Sequence, residues 1–303
     1  MTDGIIPINK PEGLSSARAV ARVKKKLGLR KVGHTGTLDP FATGLLLCCT
    51  NKGTKISKFF LGSNKTYTAR ICLGIETDTY DRTGRITAQA PQESVFALSP
   101  ADIEKTVLSF TGVQQQIPPV FSALKHKGQP LYRLARQGRP VVKPARTIEI
   151  FDIALKGIDL PCLDIEISCS SGTYIRTLGY DIGRKLGCGA HLSELCRTGS
   201  GSFTLDQAVG LDELEQMDNK EKIQKIVPLS TCLEFMPMIR ADRNIAVDIR
   251  FGRKLSIAKI GSAPEAVSPG QPIRVVQENN EVIAIITLDE NLRDYNYSCV
   301  FTD

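Results

Sequence analysis

The stretch Gly33-His34-Thr35-Gly36-Thr37-Leu38-Asp39-Pro40-Phe41-Ala42-Thr43-Gly44 decides the fold of this 303-residue chain, because it joins a glycine-rich turn to an apolar run. Its three glycines permit backbone angles that other residues avoid, which predicts a tightly folded loop. Pro40 biases Asp39 toward an extended conformation and so keeps it out of a helix. The apolar residues 45–49 that follow predict a buried strand. Asp39 is therefore either a chemically active carboxylate on a loop carried by a core strand or a turn residue that bonds its own backbone.

The basic residues of the chain are concentrated in two blocks. Residues 1–31 carry eight Lys or Arg against two acids, and residues 105–148 carry eight and no acid, within a formal net charge of +7. A solvated surface usually mixes both signs, so one-signed blocks favour a polyanionic partner, of which nucleic acid is the commonest. The alternative is a basic face that serves only solubility.

The composition argues against several classes of protein. No run approaches the roughly 18 apolar residues of a membrane span, and residues 1–8 lack the pattern of a signal peptide. The nine cysteines are odd in number and form no Cys-x-x-Cys pair, which favours reduced thiols in the cytoplasm over a disulfide framework or a zinc site. His34, His126 and His191 lie far apart and show no ligand spacing, so we expect no metal site.

Serine caps predict a helix before the glycine-rich loop. Ser15 or Ser16 can begin this helix and Gly28 can end it. Lysines and arginines cover most of its surface, and its apolar stripe is formed by Ala17, Val20, Val23 and Leu27. Such a helix can pack on a core while it presents cations to a phosphate backbone.

Alternation of apolar and polar residues predicts a strand over residues 65–74. Tyr67 falls in phase with the apolar residues Ala69, Ile71 and Leu73. From periodicity alone, the simplest interpretation of Tyr67 is an aromatic residue of the core.

A second strand and a helix carry a basic candidate. Residues 163–169 alternate as a half-exposed strand, and a Ser-Ser-Gly turn then leads into a helix over residues 173–186. Arg176 falls in the first helical turn, where the helix dipole disfavours a cation by about 0.3–1 kcal/mol. A nearby carboxylate would explain this placement, and an arginine that reaches solvent is the alternative.

The chain divides into a large domain and a small module. We expect residues 1–237 to form the large domain. Its basic segment at about 105–148, with aromatic residues interleaved, is expected to be an RNA-binding insert. A helix is expected over residues 211–226. Residues 238–303 change to short apolar runs with turns and predict a small β module, with a hairpin formed by residues 273–276 and 281–288.

A series of motifs resembles those of the bacterial tRNA pseudouridine synthase B family. Each motif alone is weak, but their common order along most of the chain makes the resemblance highly specific. They are NKPEGLSS at 9–16, GHTGTLDP at 33–40, KTY at 65–67, SALK at 122–125, YRLARQG at 132–138, SGTYIRT at 171–177 and GCGAHL at 187–192.

The resemblance implies a fold and an activity. Members of this family isomerise uridine 55 in the T loop of tRNA to pseudouridine, by base flipping and rearrangement of the glycosidic bond. We therefore expect an α+β chain with the pseudouridine synthase fold: a mixed, mostly antiparallel sheet flanked by helices, with the active cleft across its centre. The β module at residues 238–303 is similar to the PUA domain only in its texture of short strands.

The resemblance also implies catalytic roles for three residues. Asp39 would be the catalytic carboxylate, which either attacks the ribose C1′ or removes the C2′ proton to give a glycal. Tyr67 would stack on the extruded uracil, a contact worth about 1–3 kcal/mol per base, and help to remove the C5 proton. Arg176 would pair with Asp39 and keep it ionised and oriented.

Four further residues would bind the substrate. Tyr174 and Leu195 would line the pocket of the uracil. His34 would occupy the space left by flipped nucleotides, and Lys10, with the basic helix, would hold phosphates. These contacts would offset the few kcal/mol that it costs to take a base out of its stack.

By the same resemblance the reaction needs no metal and no cofactor, and the partner is the T stem-loop of tRNA. We expect a cytoplasmic monomer with no obligatory protein partner and no membrane contact. Two alternatives stay open. One is a non-catalytic protein that binds or folds tRNA on the same fold; the other is a hydrolase that uses Asp39 and His34, although their spacing gives no nucleophile–base–orienter set.

Overall fold

The structure is a computed structural model that describes residues 2–260, 267–291 and 293–301. Its strands are Gly4–Lys10 (β1), Val32–His34 (β2), Thr43–Thr50 (β3), Lys65–Leu73 (β4), Ile75–Thr77 (β5), Ile86–Gln89 (β6), Gly112–Gln116 (β7), Lys125–His126 (β8), Gln129–Pro130 (β9), Arg146–Asp159 (β10), Cys162–Cys169 (β11), Ala190–Ser200 (β12), Phe203–Thr204 (β13), Val209–Gly210 (β14), Val227–Pro228 (β15), Met238–Arg240 (β16), Leu255–Ser256 (β17), Pro272–Val276 (β18), Val282–Leu288 (β19) and Asp294–Val300 (β20). Its helices are Ser16–Lys26 (α1), Ser57–Leu61 (α2), Gln92–Phe96 (α3), Pro100–Leu108 (α4), Leu131–Arg136 (α5), Ile175–Lys185 (α6), Leu211–Gln216 (α7), Asn219–Gln224 (α8), Leu229–Cys232 (α9), Arg243–Arg250 (α10) and Ile257–Ile260 (α11), with 3₁₀ turns at Asn51–Ile56 and Leu205–Gln207.

A large mixed sheet organises the described residues up to Pro228. Its main strand order is β14-β1-β3-β12-β4-β11-β10-β7, and β13, β15 and β2 are added beside β12, β1 and β3. Among these described strands, β1–β14 and β3–β12 pair in parallel, and the other pairs are antiparallel. The predicted α+β class with a mixed, mostly antiparallel sheet is confirmed.

Strand β12 lies at the centre of this sheet, between β3 and β4. It runs parallel to β3, where Arg197 is opposite Gly44, and antiparallel to β4, where Arg197 is opposite Tyr67. Along the chain, β4 is the next strand of the large sheet after β3. In the sheet, however, β12 (residues 190–200) lies between them. Strand β12 therefore joins the end of the glycine-rich loop to the strand that carries Tyr67.

Apolar side chains attach the helices to one face of the large sheet. In β4, Ala69, Ile71 and Leu73 are buried, as alternation predicts. They belong to one core with Leu178 and Ile182 of α6, so the helix that carries Arg176 is packed directly behind the centre of the sheet. Each fully buried aliphatic side chain of this kind contributes about 1.5–3 kcal/mol relative to exposure.

Helix α1 has the predicted caps but a slightly different buried face. The Ser15 side chain accepts a hydrogen bond from the Arg18 N–H, and the chain leaves the helix before Gly28. Ala19 and Val23 are fully buried, whereas the predicted Ala17 is exposed. Residues four apart share a helix face, so Ala19 rather than Ala17 lies on the core side with Val23.

One local prediction needs correction, and one further polar segment forms a hairpin. The helix expected over residues 211–226 is broken into α7 and α8, because Asp218 caps a new helix by accepting a hydrogen bond from the Glu221 N–H. Residues 76–90, which are polar and rich in turns, contain the hairpin of β5 and β6. In both places a cap or a pairing overrides the average composition of the segment.

The cysteine prediction is wrong for one pair. Cys72 in β4 and Cys162 in β11 are register partners and form a disulfide. Register partners on adjacent strands lie close enough to be bridged, and a sequence separation of 90 residues hides that proximity. The other cysteines of the described chain are free thiols.

The C-terminal residues form the expected small β module. Its described strands lie in the order β16-β18-β19-β20-β17, and β18 and β19 form the predicted hairpin. Residues 261–266, 292, 302 and 303 of the expected module lie outside the described residues. The boundary after residue 237 stays a prediction.

The module shares a hydrophobic core with the large sheet. Its members on the large-domain side are Ile5, Leu45, Leu47, Cys49, Ile56, Phe60 and Phe203, and on the module side Val276, Val282, Ile285 and Phe301. Three lysines spaced three residues apart reinforce the contact by donating to backbone carbonyls at the end of β20: Lys52 to Phe301 (3.2 Å), Lys55 to Val300 (2.6 Å) and Lys58 to Ser298 (3.2 Å). The small sheet is thus fastened by both apolar and polar contacts.

No helix among the described residues has both the length and the apolar character needed to cross a membrane.

An aspartate of α6 provides a test of how this helix is packed. Burial raises the pKa of Asp181 from its usual 3.8 to about 6. The folded state therefore binds the proton more tightly than the unfolded state, and the free energy of unfolding falls as pH rises from 3.8 to about 6. Asp181→Asn should raise the free energy of unfolding near neutral pH by about 1–3 kcal/mol.

Urea denaturation measures this effect, and pH provides the control. Most of the gain should disappear near the unperturbed pKa of 3.8, because Asp181 is then protonated in the folded state and half protonated in the unfolded state. An equal gain at neutral and acidic pH would contradict the assignment.

Candidate active site

A cleft of about 460 Å³ opens where the glycine-rich loop meets the centre of the large sheet. Its walls come from this loop, from β4 and β12, from the insert and from the turn before α6. Most of the residues predicted for the site line it: Asp39, Tyr67, Tyr174, Arg176 and Leu195. The predicted His34 and Lys10 lie outside its lining.

Hydrogen bonds to the N-terminal segment fix the loop that carries Asp39. Ser16 Oγ donates to the Leu38 carbonyl (2.9 Å) and accepts from the Leu38 N–H (2.8 Å). The Gly13 N–H donates to the Pro40 carbonyl (2.7 Å). Because these bonds flank Asp39 on both sides, its backbone position is set before any substrate arrives.

Asp39 and Arg176 form a two-pronged ion pair. Arg176 Nε donates to Asp39 Oδ2 (2.8 Å) and Nη2 donates to Oδ1 (3.3 Å). The arginine side chain is 3% exposed and that of the aspartate is 33% exposed. The guanidinium is therefore the buried partner, and the carboxylate it orients faces the cleft. The structure brings together the pair that the sequence predicted, and their catalytic roles stay predictions.

Arg176 is held by three further groups, which explains a cation at the start of α6. Its Nη1 donates to the Thr79 carbonyl (2.6 Å), and its Nη2 donates to the Phe121 carbonyl (2.9 Å). Asp81 Oδ2 lies 3.5 Å from Nη1. Asp81 is buried and also accepts from the Thr79 and Thr83 hydroxyls. This second carboxylate was not recognisable from the sequence, because its segment showed only turn residues.

Tyr67 lies on β4 with its side chain on the cleft. Burial raises the pKa of the phenol, while the charge and hydrogen bond of Arg197 oppose the shift. The phenol is therefore uncharged at neutral pH. An uncharged aromatic ring in a cleft suits stacking on a planar ligand better than it suits service as a phenolate base.

Arg197 is a buried residue of the cleft that sequence reasoning missed. Its Nε donates to the Leu45 carbonyl (2.7 Å) and its Nη2 donates to the Gly36 carbonyl (3.1 Å), so it ties both ends of the glycine-rich loop together. Gly44 has a φ of 97°, and a Cβ there would lie 2.4 Å from the Arg197 carbonyl oxygen. The sequence did contain a signal for Arg197. It lies two residues after Leu195 and therefore on the same, buried face of the strand.

Tyr174 and Leu195 complete the walls of the cleft. Gln116 fixes the backbone of Tyr174, because its side-chain amide donates to the Tyr174 carbonyl (3.0 Å) and accepts from the Tyr174 N–H (2.8 Å). The Arg146 guanidinium lies over the Tyr174 ring, with Cζ 4.7 Å from the ring centroid. Leu195 is 8% exposed and adds an apolar edge.

The two predicted residues outside the cleft are hydrogen-bonded to backbone groups of the protein. Lys10 is fully buried, and its ammonium donates to the carbonyls of Pro11 (2.8 Å) and Leu14 (2.8 Å). Burial lowers its pKa to about 8, against the opposing charge of Asp39. The ammonium is enclosed and lies outside the cleft lining, so the structure does not place Lys10 where a phosphate would reach it. His34 Nδ1 accepts from the Gly36 N–H (3.3 Å), and burial lowers the pKa of its ring.

The arrangement offers one oriented carboxylate, a planar ring and a positive surround. A carboxylate of this kind can attack a carbon centre or accept a proton. Within the described ranges, no group of three or more His, Cys, Asp or Glu side chains is placed to hold a metal ion. The chemistry available from the chain itself is that of a carboxylate acting on a flat ligand.

Two family models match consecutive parts of the chain. Residues 24–175 match the N-terminal domain of the TruB family pseudouridylate synthases. Residues 176–234 match the C-terminal domain of tRNA pseudouridylate synthase B.

Curated relatives and solved structures agree with these matches. The chain is 49% identical over 215 residues to tRNA pseudouridine synthase B of Geobacter sulfurreducens, covering 71% of this chain and 70% of the relative. It is 37% identical over 290 residues to the protein of the same name from Burkholderia pseudomallei, covering 96% and 94%. Its fold is similar to a chain of a Cbf5–Nop10–Gar1 complex, with a TM-score of 0.76, 25% identity and coverage of 99% and 85%. It is also similar to a chain of an H/ACA RNP bound to a substrate RNA containing 2′-deoxyuridine, with a TM-score of 0.74, 23% identity and coverage of 99% and 85%.

Proposed function

The chain belongs to the TruB family of pseudouridylate synthases, and from this premise we propose that it converts uridine 55 in the T loop of tRNA to pseudouridine with Asp39 as its catalytic carboxylate. It is an isomerase that makes pseudouridine in RNA. The alternative of a non-catalytic protein on the same fold is set aside, because the curated relatives are named as synthases. The target position and the residue roles are the proposal.

One observation carries the assignment of Asp39. Its carboxylate is one-third exposed in a cleft, and a buried guanidinium holds both of its oxygens. A buried arginine with bonds to Thr79 and Phe121 does not reorient when substrate binds, so the carboxylate is preorganised for attack or proton transfer.

The proposed reaction begins when the target uridine leaves the T-loop stack and enters the cleft. Tyr67 stacks on the uracil, and Leu195 and Tyr174 enclose it. Asp39 then attacks the ribose C1′ and displaces the uracil anion, or removes the C2′ proton while the uracil leaves as a glycal forms. The uracil turns and its C5 bonds to C1′, while the bond from Asp39 to C1′ breaks on the first route or C2′ regains its proton on the second. C5 then loses its proton and N1 gains one, so the product has the same atoms as the substrate.

Substitutions at Tyr67 separate stacking from the phenol. Tyr67→Phe keeps the ring but loses the phenolic hydroxyl, and it should bind RNA almost as well as the parent chain. Tyr67→Ala loses the ring and should weaken transition-state binding by about 1–3 kcal/mol, roughly 5- to 150-fold in kcat/KM. Filter binding measures the RNA affinity, and tritium release from C5-labelled tRNA measures kcat/KM. Equal activity of the alanine and parent chains would remove Tyr67 from the site.

The substrate follows from the charge of the chain and from its relatives. The basic blocks at residues 1–31 and 105–148 supply the cations that a tRNA stem requires. The Cbf5 neighbour is described in a complex with Nop10 and Gar1. We propose that this chain instead acts alone, as a cytoplasmic monomer with tRNA as its partner.

The test uses the purified chain and unmodified tRNA transcripts. It should release tritium from C5-labelled uridine without added protein, and mapping should place one pseudouridine in the T loop at position 55. Modification at another position would overturn the proposed target. Activity that appears only after other proteins are added would overturn the proposal that the chain acts alone.

A further inference from the structure

The basic side chains that line the cleft differ in whether they are hydrogen-bonded to other groups of the protein. Lys65 donates to the carbonyls of Phe60 and Leu61, and Arg176 and Arg197 donate to the groups described above. Arg146 is the remaining basic residue of the lining, and its side chain makes no hydrogen bond or ion pair with the described part of the chain. One guanidinium of the cleft is thus left for a ligand.

The position of Arg146 is fixed although its donors are not engaged. Its guanidinium lies over the ring of Tyr174, with Cζ 4.7 Å from the centroid, and its Nε is inaccessible to solvent without a partner. Gly172 has a φ of 84°, and a Cβ there would lie 3.3 Å from Arg146 Cζ. The glycine turn therefore leaves the space in which the guanidinium stacks.

A second unpartnered group lines the same cleft. Ser122 is 3% exposed, and its hydroxyl has no hydrogen-bond partner among the described residues. Its backbone is held, because its carbonyl accepts from the Tyr132 N–H (3.0 Å). A buried hydroxyl without a partner is costly, and an acceptor atom of a ligand would remove that cost.

We propose that Arg146 and Ser122 form a phosphate subsite that binds a phosphodiester flanking the flipped nucleotide. A guanidinium fork matches two phosphate oxygens, and a hydroxyl can donate to one. The subsite is on the same cleft as Asp39, so its ligand belongs to the nucleotide that reacts or to the next linkage. This inference rests on the proposed function, since RNA is the anion that the cleft receives.

The stacking contact gives the subsite a consequence for the base pocket. Tyr174 lies beneath Arg146 and lines the pocket of the uracil. A phosphate that holds Arg146 in place also holds the Tyr174 ring from above. Backbone recognition and base recognition are then linked through two stacked side chains.

The experiment measures binding of T stem-loop RNAs in which one linkage, 5′ or 3′ of the target uridine, is a neutral methylphosphonate. The chain carries Asp39→Asn in every case, so that turnover does not interfere. With Arg146 present, one of the two neutral linkages should raise Kd about tenfold. Adding Arg146→Ala should raise Kd for the native RNA about tenfold and remove the sensitivity to that linkage.

Matched variants separate the subsite from a general loss of charge. Lys105→Ala removes an exposed cation of the same basic block outside the cleft, and it should keep the full sensitivity to the neutral linkage. Arg146→Lys keeps the positive charge but loses the guanidinium fork. Its sensitivity to the neutral linkage should lie between those of the Arg146 and Arg146→Ala chains. Both Arg146→Ala and Lys105→Ala should reduce the slope of log Kd against log salt by at most about one.

Either of two results would overturn the subsite. In the first, the neutral linkage raises Kd of Arg146→Ala chains by the same factor as it does for chains that keep Arg146. In the second, Arg146→Ala chains bind native RNA as tightly as their parent. Ser122→Ala, which removes only a hydroxyl, repeats the measurement if the arginine variant is poorly folded. Failure of the proposed function is distinguishable, because it is seen as no pseudouridine from the parent chain on native tRNA.

Discussion

Replacing Asp39 with asparagine is expected to abolish pseudouridine formation while tRNA binding persists. The amide keeps the size of the side chain but can neither attack C1′ nor accept the C2′ proton. We expect kcat to fall by at least about 10³-fold, at the upper end of what one general acid–base group supplies. Tritium release gives the rate, and filter binding gives the affinity.

A second substitution at this position tests geometry rather than chemistry. Asp39→Glu keeps the carboxylate but moves it by one methylene, and a misplacement of about 1 Å can cost roughly 10²-fold. Its two-pronged contact with Arg176 would also be displaced. If Asp39→Asn still forms pseudouridine at the parent rate, the catalytic assignment is wrong.

Removing Arg176 should damage both catalysis and stability. Its buried guanidinium holds Asp39, Asp81 and two backbone carbonyls, and Arg176→Ala leaves all of them without a cation. Breaking a buried pair in this way typically costs about 3–5 kcal/mol in the free energy of unfolding. Arg176→Lys restores a charge but cannot reach every acceptor, so kcat should remain low. Urea denaturation and tritium release measure the two effects.

The same helix provides the control for this experiment. Arg184 is on α6, has a side chain that is 62% exposed and pairs with Glu76. Arg184→Ala should change the free energy of unfolding by no more than about 1 kcal/mol and leave kcat unchanged. Parent-like kcat in a folded Arg176→Ala chain would contradict the role of the ion pair.

Local sequence signals pointed to several of the residues that the structure brings together in the cleft. Asp39 was visible because glycines and a proline surround it. Arg176 was visible because a cation in a first helical turn is explained by a nearby carboxylate. Alternation placed Tyr67 only on its strand, and the resemblance gave it a role in the site. Each of these signals lies within a few residues of the group concerned.

The missed features depend on which strands become neighbours. Asp81 reaches Arg176 only because a turn after β5 folds over the start of α6, and Arg197 reaches the glycine-rich loop only because β12 pairs with β3. The Cys72–Cys162 disulfide requires the β4–β11 register. The resemblance implies that Lys10 holds phosphate, whereas the fold encloses its side chain.

The central place of β12 has a consequence for how the chain acquires its structure during synthesis. Strands β3 and β4 leave the ribosome early but do not pair with each other; both wait for a strand that follows the intervening residues 74–189. At about 5–20 residues per second this delay is roughly 6–23 s. Until then two apolar strands have open edges, which invite aggregation. The nascent enzyme can therefore neither assemble its catalytic centre nor protect its core before two thirds of the polypeptide has been translated.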